Sequence, residues 1–319
     1  MKAGFRVAVT SRSFSRHPVL RTELSFRYPL VTFNDAGQSL EGEALATFLA
    51  GHERAITALE RIDDFLLRRL PELQVIAKYG VGLDMLDLAA MARRGVKLGW
   101  TPGVNRRSVA ELVIALAIAL LRHVPQATAL VVTGGWKQLV GRQLSDRMVG
   151  IIGCGHVGKE VVRLLQPFGC QIRAHDIRDF AAFYAEHSVR AVGLEELLET
   201  CDVVTLHLPL TTETKGVMSA DRLARMRRDA ILINTARGGL VDEDALKAML
   251  YEGRLAGAAF DVFTEEPPGN QDLLRAPNFI ATPHIGGSAE EAVLAMGRAA
   301  IRGLEEFGDP RTVAGDQYQ

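Results

Sequence analysis

Short apolar runs alternate along most of the chain with amphipathic stretches of helical length. Between the runs, apolar residues recur at helical spacing, as at Val157, Val161 and Leu164. This alternation predicts a parallel β-sheet covered by helices, and strands that are apolar at every position indicate burial on both faces. The strand-length runs are Val7–Val9, Val75–Ile76, Val149–Ile152, Val203–Leu206, Ala230–Ile233 and Ala256–Phe260.

Two breaks in this pattern mark candidate domain boundaries, one at Gly99–Asn105 and one at His284–Ser288. The second precedes a last amphipathic helix predicted over 289–307, and the residues after Phe307 are interpreted as a tail. The most apolar stretch, Leu112–Leu121, is about half of the roughly 20 residues that a bilayer span needs. We interpret it as a buried helix, either in the core or at a subunit interface.

Composition narrows the class of protein. A chain of 319 residues is long enough for two domains. Its net charge of −1 disfavours a dedicated nucleic-acid-binding protein, and no membrane partner is expected. The three cysteines are odd in number and lack metal-ligand spacing, so we expect no metal site and no disulfide framework. The N-terminus lacks the features of a signal peptide, and the expected location is the cytoplasm.

A glycine-rich turn follows the predicted strand at 147–152 and opens a helix. It contains Gly153, Gly155 and Gly158, spaced as in a dinucleotide-binding turn, and His156 and Val157 complete it. Gly153 permits the turn, Gly155 lets a pyrophosphate approach the backbone, and Gly158 lets helix and strand pack closely. The helix N-terminus offers free N–H groups to the phosphates, whereas the side chains of Cys154 and His156 are interpreted as spectators.

The next predicted strand ends at Asp176, which lies 18 residues after Gly158. A carboxylate in this place binds the ribose hydroxyls and repels a 2′-phosphate, so the predicted cofactor is NAD rather than NADP. Arg178 weakens the preference, because a nearby Arg can accept that phosphate.

Three further segments end apolar runs in polar residues with acid–base or anion-binding chemistry. Arg237 could grip a planar carboxylate or form an ordinary ion pair at a strand end. His284 could transfer a proton or serve as a turn residue. By charge alone, either Glu265 or Glu266 could pair with His284. A carboxylate next to the imidazole would favour the charged form of the histidine.

Seven segments together resemble the D-2-hydroxyacid dehydrogenase family, and most closely its D-3-phosphoglycerate dehydrogenase branch. They span most of the chain in the family's order, and this number of matches makes the resemblance specific. The segments are KYGVGLD (78–84), SVAELV (108–113), GIIGCGHVG (150–158), HLPLTTET (207–214), INTARGG (233–239), AAFDVFTEEP (258–267) and TPHIGGS (282–288).

The resemblance implies an α/β protein with two domains. A Rossmann-type doubly wound parallel sheet over 101–286 would bind NAD. A second, discontinuous flavodoxin-like domain, built from 1–100 and 287–319, would bind the substrate in the cleft between them. The family is usually a homodimer, formed through the helix that begins near Ser108 and the following arm with Trp136.

The resemblance also implies roles for residues at matching positions. Arg237 would bind the substrate carboxylate and carbonyl, His284 would give or take the proton during hydride transfer, and Glu266 would pair with His284. Besides the glycine turn and Asp176, the cofactor would contact His207, Pro209, Thr214 and Asp261. The substrate would also contact Lys78, Val81, Gly82 and Asn105.

The substrate remains open at this stage. Lys78 matches a basic residue of the phosphoglycerate branch, so it either meets a second anionic group or is a solvated surface charge. Met85 stands where many members of the family carry a polar Asn. This difference weakens any inference from the substrates of the family to the substrate of this chain. The main hypothesis is an NAD-dependent enzyme that interconverts a D-2-hydroxy acid with its 2-oxo acid. A phosphorylated or dianionic acid, such as 3-phosphoglycerate, is one candidate substrate. The alternatives are a nicotinamide-sensing protein like the related corepressors and a phosphite- or phosphonate-type dehydrogenase.

Overall fold

The computed structural model describes residues 4–315, and the chain folds into two compact units. The first unit takes the chain up to Asn105 and again from Ala289 onward, and the second unit is Arg106–Ser288. The sequence predicts these boundaries at 100/101 and 286/287, and the two units divide at 105/106 and 288/289. Each unit contains its own parallel sheet, as the alternation of apolar runs predicts.

The first unit is a five-stranded parallel sheet in the order β2-β1-β3-β4-β5, which is the order of flavodoxin-like folds. Apolar clusters cover both faces, one around Leu49 and Ile76 and the other around Val9 and Leu20. The strands are β1 (Arg6–Val9), β2 (Leu30–Phe33), β3 (Arg54–Thr57), β4 (Val75–Lys78) and β5 (Lys97–Gly99). The helices, labelled in chain order, are α1 (Arg12–Arg16), α2 (Pro18–Arg27), α3 (Gly42–Leu49), α4 (Asp64–Leu67), α5 (Leu88–Arg93), α14 (Glu290–Gly303) and α15 (Pro310–Ala314).

The second unit is a seven-stranded parallel sheet in the order β12-β11-β10-β9-β6-β7-β8. The order reverses between β6 and β9, which makes their carboxyl ends the usual ligand edge of a doubly wound sheet. The strands are β6 (Met148–Ile152), β7 (Gln171–His175), β8 (Val189–Ala191), β9 (Val203–Leu206), β10 (Ile231–Asn234), β11 (Gly257–Phe260) and β12 (Phe279–Ala281). The helices are α6 (Arg106–Leu121), α7 (Val124–Val132), α8 (His156–Leu165), α9 (Ala181–Glu186), α10 (Leu194–Thr200), α11 (Ala220–Arg225), α12 (Glu243–Tyr251) and α13 (Gln271–Leu274), and a 3-10 turn spans Gln166–Phe168.

The apolar stretch around Leu112–Leu121 lies in α6, which buries one face against the core beneath β6. Among residues 4–315 no single helix is long and apolar enough to cross a membrane. Helices α6 and α7 together have the necessary length and composition, but they are bent by 61° where they join.

The interpretation of the C-terminus as a tail is wrong as far as residue 315. Gly308 pairs its backbone with Leu98 beside β5, and α15 follows with Ala314 buried at 4% exposure. The sequence pattern hid this helix because it is only five residues long and begins at Pro310. Residues 316–319 of the predicted tail lie outside the described residues.

Candidate active site

The glycine turn after β6 is shaped by two close backbone contacts. A Cβ on Gly153, where φ is +90°, would lie 2.6 Å from the His207 carbonyl oxygen, and a Cβ on Gly158 would lie 2.2 Å from the Gly153 carbonyl oxygen. A Cβ on Gly155 would meet no protein atom within 4 Å. The first and last glycines therefore serve the protein's own packing, whereas the open space at Gly155 fits the approach of a phosphate group.

Positive charge surrounds the start of α8, which begins at His156 after this turn. Burial lowers the pKa of His156, and the cationic side chains of Arg106, Lys159 and Arg178 lower it further. His156 is therefore neutral at neutral pH. The three cations, with the N-terminal amides of the helix, make this end of the sheet favourable for an anion.

Asp176 follows β7 and is bonded directly to the glycine turn. Its Oδ2 accepts a hydrogen bond from the Cys154 N–H at 2.6 Å, and its Oδ1 accepts one from the Arg178 N–H at 2.9 Å. The carboxylate is thus fixed beside the site of the predicted pyrophosphate. The next residue, Ile177, is apolar and 97% exposed, and no motif in the sequence marks it.

Cys154, inside the turn, is fully buried. Burial raises the pKa of its thiol to about 11, and the neighbouring Asp176 carboxylate acts in the same direction. A thiol that stays protonated at neutral pH is a poor nucleophile. The Cys154 side chain packs in the apolar cluster beneath the turn.

His284 and Glu266 form a hydrogen-bonded pair. The His284 Nδ1 lies 2.9 Å from Glu266 Oε2, and Glu266 Oε1 accepts a hydrogen bond from the Phe263 N–H at 3.1 Å. The two side chains remain 50% and 40% exposed, so the second ring nitrogen can reach a ligand. Of the two candidate acids, it is Glu266 rather than Glu265 that contacts the imidazole.

The backbone at His284 adopts the left-handed conformation, with φ at 55°. Its N–H donates to the carbonyl oxygens of Asp261 and Thr282, at 2.9 and 3.0 Å. The next two amides, of Ile285 and Gly286, donate to the carboxylate of Asp261 at 2.8 and 2.7 Å. These bonds hold the histidine in a conformation that a residue other than glycine rarely adopts.

Asp261 follows β11 and is 1% exposed. Besides the two amides, its carboxylate accepts a hydrogen bond from the Thr282 hydroxyl at 2.6 Å. The sequence predicted a contact between Asp261 and the nicotinamide, and this stays a prediction. Its function as the anchor of the His284 turn was missed, because no local motif reveals a bond between residues more than 20 positions apart.

Arg237 lies in the turn after β10. The buried Asn234 closes this turn, since its Nδ2 donates to the Arg237 carbonyl oxygen at 2.8 Å and its Oδ1 accepts from the Ala236 N–H at 3.1 Å. The Arg237 Nη1 donates to the Ala236 carbonyl oxygen at 2.6 Å. A Cβ on Gly238 would lie 1.9 Å from the Phe263 carbonyl oxygen, so this turn packs directly against the Glu266 loop.

Strand register brings these segments to one edge. Asn234, the last residue of β10, pairs with Leu206 at the end of β9 and with Phe260 at the end of β11. Because the strands are parallel, Arg237 and Asp261 follow at the same edge, which is also the edge of the glycine turn. The sequence could place each residue after a strand, but only the sheet order shows that these strands are neighbours.

The predicted cofactor residues after β9 form a compact loop. Burial lowers the pKa of His207 to about 3, and its Nε2 lies 3.1 Å from the Thr205 hydroxyl, so the ring is neutral. The Thr214 hydroxyl donates to the Pro209 carbonyl oxygen at 2.6 Å and accepts from the Thr211 N–H at 2.8 Å. These bonds fix the loop, while its contact with a cofactor stays a prediction.

In the first unit, the predicted substrate residues lie at and after the carboxyl end of β4. Lys78 is 5% exposed, and its ammonium donates to the Ala58 carbonyl oxygen. The interpretation of Lys78 as a solvated surface charge is therefore wrong. The Val81 carbonyl oxygen accepts a hydrogen bond from the Trp100 indole at 3.0 Å, Gly82 is half-buried, and Asn105 ends the first unit.

The part of the chain that the structure describes contains no group of three or more His, Cys, Asp or Glu side chains able to hold a metal ion. The groups described at this edge are an arginine, a histidine–carboxylate pair and a glycine turn that opens a helix.

Comparison with known proteins identifies the family. Residues 114–286 match the family model described as D-isomer specific 2-hydroxyacid dehydrogenase, NAD binding domain. The chain belongs to this family and carries its NAD-binding domain. The predicted fold, a Rossmann-type sheet with a second flavodoxin-like α/β domain, is confirmed by the two sheets and by solved structures of similar proteins.

Similar proteins carry several names. The chain is 37% identical to the D-3-phosphoglycerate dehydrogenase of Homo sapiens over 80% of its own length and 48% of that protein. It is 36% identical to the glyoxylate reductase of Thermofilum pendens, over 77% and 75%. The structure of the TT0316 protein from Thermus thermophilus matches with a TM-score of 0.83 and 35% identity, covering 94% of each chain. The chain spans about half the length of the curated phosphoglycerate dehydrogenases that it matches.

Proposed function

We propose that this chain is an NAD-dependent D-2-hydroxyacid dehydrogenase that interconverts a D-2-hydroxy acid with its 2-oxo acid. The observation that supports the proposal most is the bond between His284 and Glu266, at the edge where the doubly wound sheet carries its glycine turn. Neither feature alone defines a reaction. Together they supply a proton-transfer group beside a dinucleotide site.

The protein's part in the reaction follows from these groups. NAD, when bound, supplies the hydride acceptor, and its reduced form supplies the hydride donor. In the reductive direction, a hydride adds to the carbonyl carbon and the π electrons of the carbonyl move to its oxygen. Protonated His284 donates its proton to that oxygen and becomes neutral, so the product is the 2-hydroxy acid. Glu266 stabilises the charged imidazole, and Arg237 binds the substrate carboxylate through its planar fork.

We infer that NAD is preferred over NADP through Asp176. Its carboxylate is held by the Cys154 and Arg178 amides in the place where ribose hydroxyls would bind. A 2′-phosphate there would meet a fixed negative charge. We further propose that the exposed Ile177 side chain packs against the adenosine part of the cofactor, since burying it removes apolar surface from water.

For the substrate, we propose that the Gly80–Gly82 loop binds the carboxylate through its backbone amides. Lys78 supports this proposal, because a Cβ on Gly80 would lie 3.9 Å from the Lys78 ammonium. A buried cation beside this half-buried loop reinforces an anion site at the loop amides. The alternative proposal is that Lys78 turns outward to bind a substrate phosphate, as in a phosphorylated or dianionic 2-oxo acid.

A substrate panel tests both proposals. Purified protein is mixed with NADH and glyoxylate, pyruvate, hydroxypyruvate or 3-phosphohydroxypyruvate, and loss of the nicotinamide absorbance is followed. We expect turnover with at least one acid and a loss of about 10²–10⁴-fold in kcat for His284→Ala. If NADH binds and no 2-oxo acid is reduced, the proposed function is wrong. If Lys78 supports the loop, Lys78→Met should weaken the binding of all the substrates alike. If Lys78 binds phosphate, the change should weaken the binding of the phosphorylated substrate selectively.

We also propose that the chain forms a homodimer through α6, the exposed helix α7 that follows it and the arm at 133–144. Helix α7 is apolar yet has no buried residue, and Val132, Trp136 and Val140 are 79%, 89% and 92% exposed. A second copy of the chain is the proposed partner, in line with the family resemblance. Sedimentation should show a dimer that Trp136→Lys combined with Val140→Lys converts to a monomer. A dimer that survives both changes would place the interface elsewhere.

We place the protein in the cytoplasm, since Cys154, Cys170 and Cys201 are all free thiols, which suits a reducing compartment. Cell fractionation with an antibody against the chain tests this. Recovery of the protein in a membrane or secreted fraction would contradict it.

A further inference from the structure

Glu243, in the first turn of α12, is bonded to the loop that carries Glu266. Its Oε1 accepts two hydrogen bonds from one residue, from the Thr264 N–H at 3.0 Å and from the Thr264 hydroxyl at 2.8 Å. Thr264 lies two positions before Glu266. The neighbouring Phe263 amide is the one that binds Glu266 Oε1 at 3.1 Å. A continuous series of bonds therefore runs from Glu243 through this loop to Glu266 and His284.

The position of Glu243 is itself fixed by the Arg237 turn. That turn continues into the segment Gly239–Asp242, which pairs its backbone with Gly216–Met218 through bonds of 2.8–3.0 Å. Asp242 then caps α12 by accepting the Ala245 N–H at 2.9 Å. Glu243 thus projects from a rigid part of the second unit.

The same region holds the loop at two more points. The peptide between Phe263 and Thr264 packs against Gly238, where a Cβ would lie 1.9 Å from the Phe263 oxygen and 2.5 Å from the Thr264 nitrogen. Farther along, the Asn270 Nδ2 lies 3.5 Å from Asp244 Oδ1. The Glu266 loop is therefore attached to the Arg237 turn and to the first turn of α12 on both sides of Glu266.

We infer that Glu243 is a positioning residue for the reaction: it fixes the Glu266 loop to the Arg237 turn and so orients the carboxylate that pairs with His284. The inference rests on the proposed function, because orientation of the pair matters only if His284 transfers a proton. Glu243 makes no contact with His284 in the described structure and acts only through Thr264 and Glu266.

Paired substitutions test this function. Glu243→Ala removes both acceptor bonds, whereas Glu243→Gln keeps an oxygen that can accept them. Because Thr264 is exposed, each of its two hydrogen bonds to Glu243 contributes only a small free energy. We therefore expect a modest loss of kcat, about fivefold, in the alanine variant. The glutamine variant should stay near the wild type, and KM for NADH should not change. Glu252→Ala, which removes another carboxylate of the same helix region, is the matched control and should have no effect.

A measurement without turnover separates this inference from the proposed function. Two carboxylates are bonded to the His284 segment, Glu266 at the ring and Asp261 at the following amides, and neither is changed in these variants. Proton NMR of the His284 ring N–H should show a weaker hydrogen bond to Glu266 in Glu243→Ala than in the wild type, because Glu266 is less well oriented. If the wild type reduces no 2-oxo acid, the proposed function fails, and the NMR signal of the His284 ring N–H still tests Glu243.

Unchanged kcat and an unchanged His284 ring N–H signal in a folded Glu243→Ala variant would overturn the inference. If that variant does not fold, Thr264→Val provides the test, since it removes the hydroxyl donor and keeps the amide. We then expect about a twofold loss of kcat and a smaller change of the His284 ring N–H signal in the same direction. No change in either quantity would likewise overturn the inference.

Discussion

Replacement of Asp261 by Asn tests how the His284 turn is held. The carboxylate is 1% exposed and accepts hydrogen bonds from the Thr282 hydroxyl and from the Ile285 and Gly286 amides, at 2.6, 2.8 and 2.7 Å. An asparagine has nearly the same shape but offers only one acceptor oxygen. One of the three donors is then opposed by an NH₂ group and left unpaired.

The magnitude follows from these contacts. An unpaired buried donor costs about 1–3 kcal/mol, and two bonds that lose their charged acceptor weaken by up to about 1 kcal/mol each. Because Asp261 is buried, solvent screening does not reduce these values much. We expect Asp261→Asn to lower the free energy of unfolding by about 3 kcal/mol, which lowers Tm by roughly 6–12 °C in a domain of 150–250 residues.

Chemical denaturation of the wild type, Asp261→Asn and the control Asp221→Asn provides the assay. Asp221 is an exposed residue of α11, and its replacement should change stability by less than about 0.5 kcal/mol. The activity of the folded variant should also fall, since His284 depends on these bonds for its left-handed backbone. If Asp261→Asn unfolds at the same denaturant concentration as the wild type, the carboxylate does not hold the turn and the reasoning is wrong.

Three further predictions concern charge. Glu266→Gln should lower kcat about tenfold or more and move the pH profile of reduction toward acid. The reason is that the neutral amide stabilises imidazolium at His284 less than a carboxylate does. A lower kcat with an unchanged pH profile would refute the pairing of Glu266 with His284. Asp176→Ala should narrow the ratio of kcat/KM for NAD over NADP by about tenfold, as charge repulsion is lost, and an unchanged ratio would show that Asp176 does not select the cofactor. Burial lowers the pKa of His207 from 6.5 to about 3. Its contribution to the free energy of unfolding is therefore complete above about pH 6.5 and is lost as the pH falls toward 3, because the unfolded chain binds the proton that the folded chain does not. When the pH falls from about 7 to about 4, the free energy of unfolding should drop by about 3 kcal/mol less in His207→Phe than in the wild type. Denaturant titration at the two pH values measures both drops, and equal drops would contradict the burial of His207.

The glycine turn shows how much local sequence can predict. Gly153 and Gly158 were expected to permit a turn and close packing, and each has backbone atoms less than 3 Å from where a Cβ would be. Asp176 was placed at the end of a strand beside this turn, and its carboxylate binds the Cys154 amide. These features are predictable because strand, turn, helix and strand follow each other within about 30 residues of chain.

The choice between Glu265 and Glu266 shows where sequence stops. The two acids are adjacent and equal in charge, so residue type could not separate them. The family resemblance favoured Glu266, and the structure places its Oε2 2.9 Å from His284. Lys78 is a second example, because a lysine at the end of a strand can face solvent or the interior, and only the packing of the Ala58 loop shows that it is buried.

The sequence by itself determined the class of fold, the NAD-type turn and the residue types that could bind an anion and transfer a proton. These are encoded in periodicity and in short motifs whose parts are neighbours along the chain. Only the tertiary structure decided that Asp261 holds the His284 turn and that Glu243 holds the Glu266 loop. Those partners are about 20 or more residues apart and meet because β10, β11 and the segments after them are brought to one edge of the sheet. Their interactions depend on strand order, which no local pattern records.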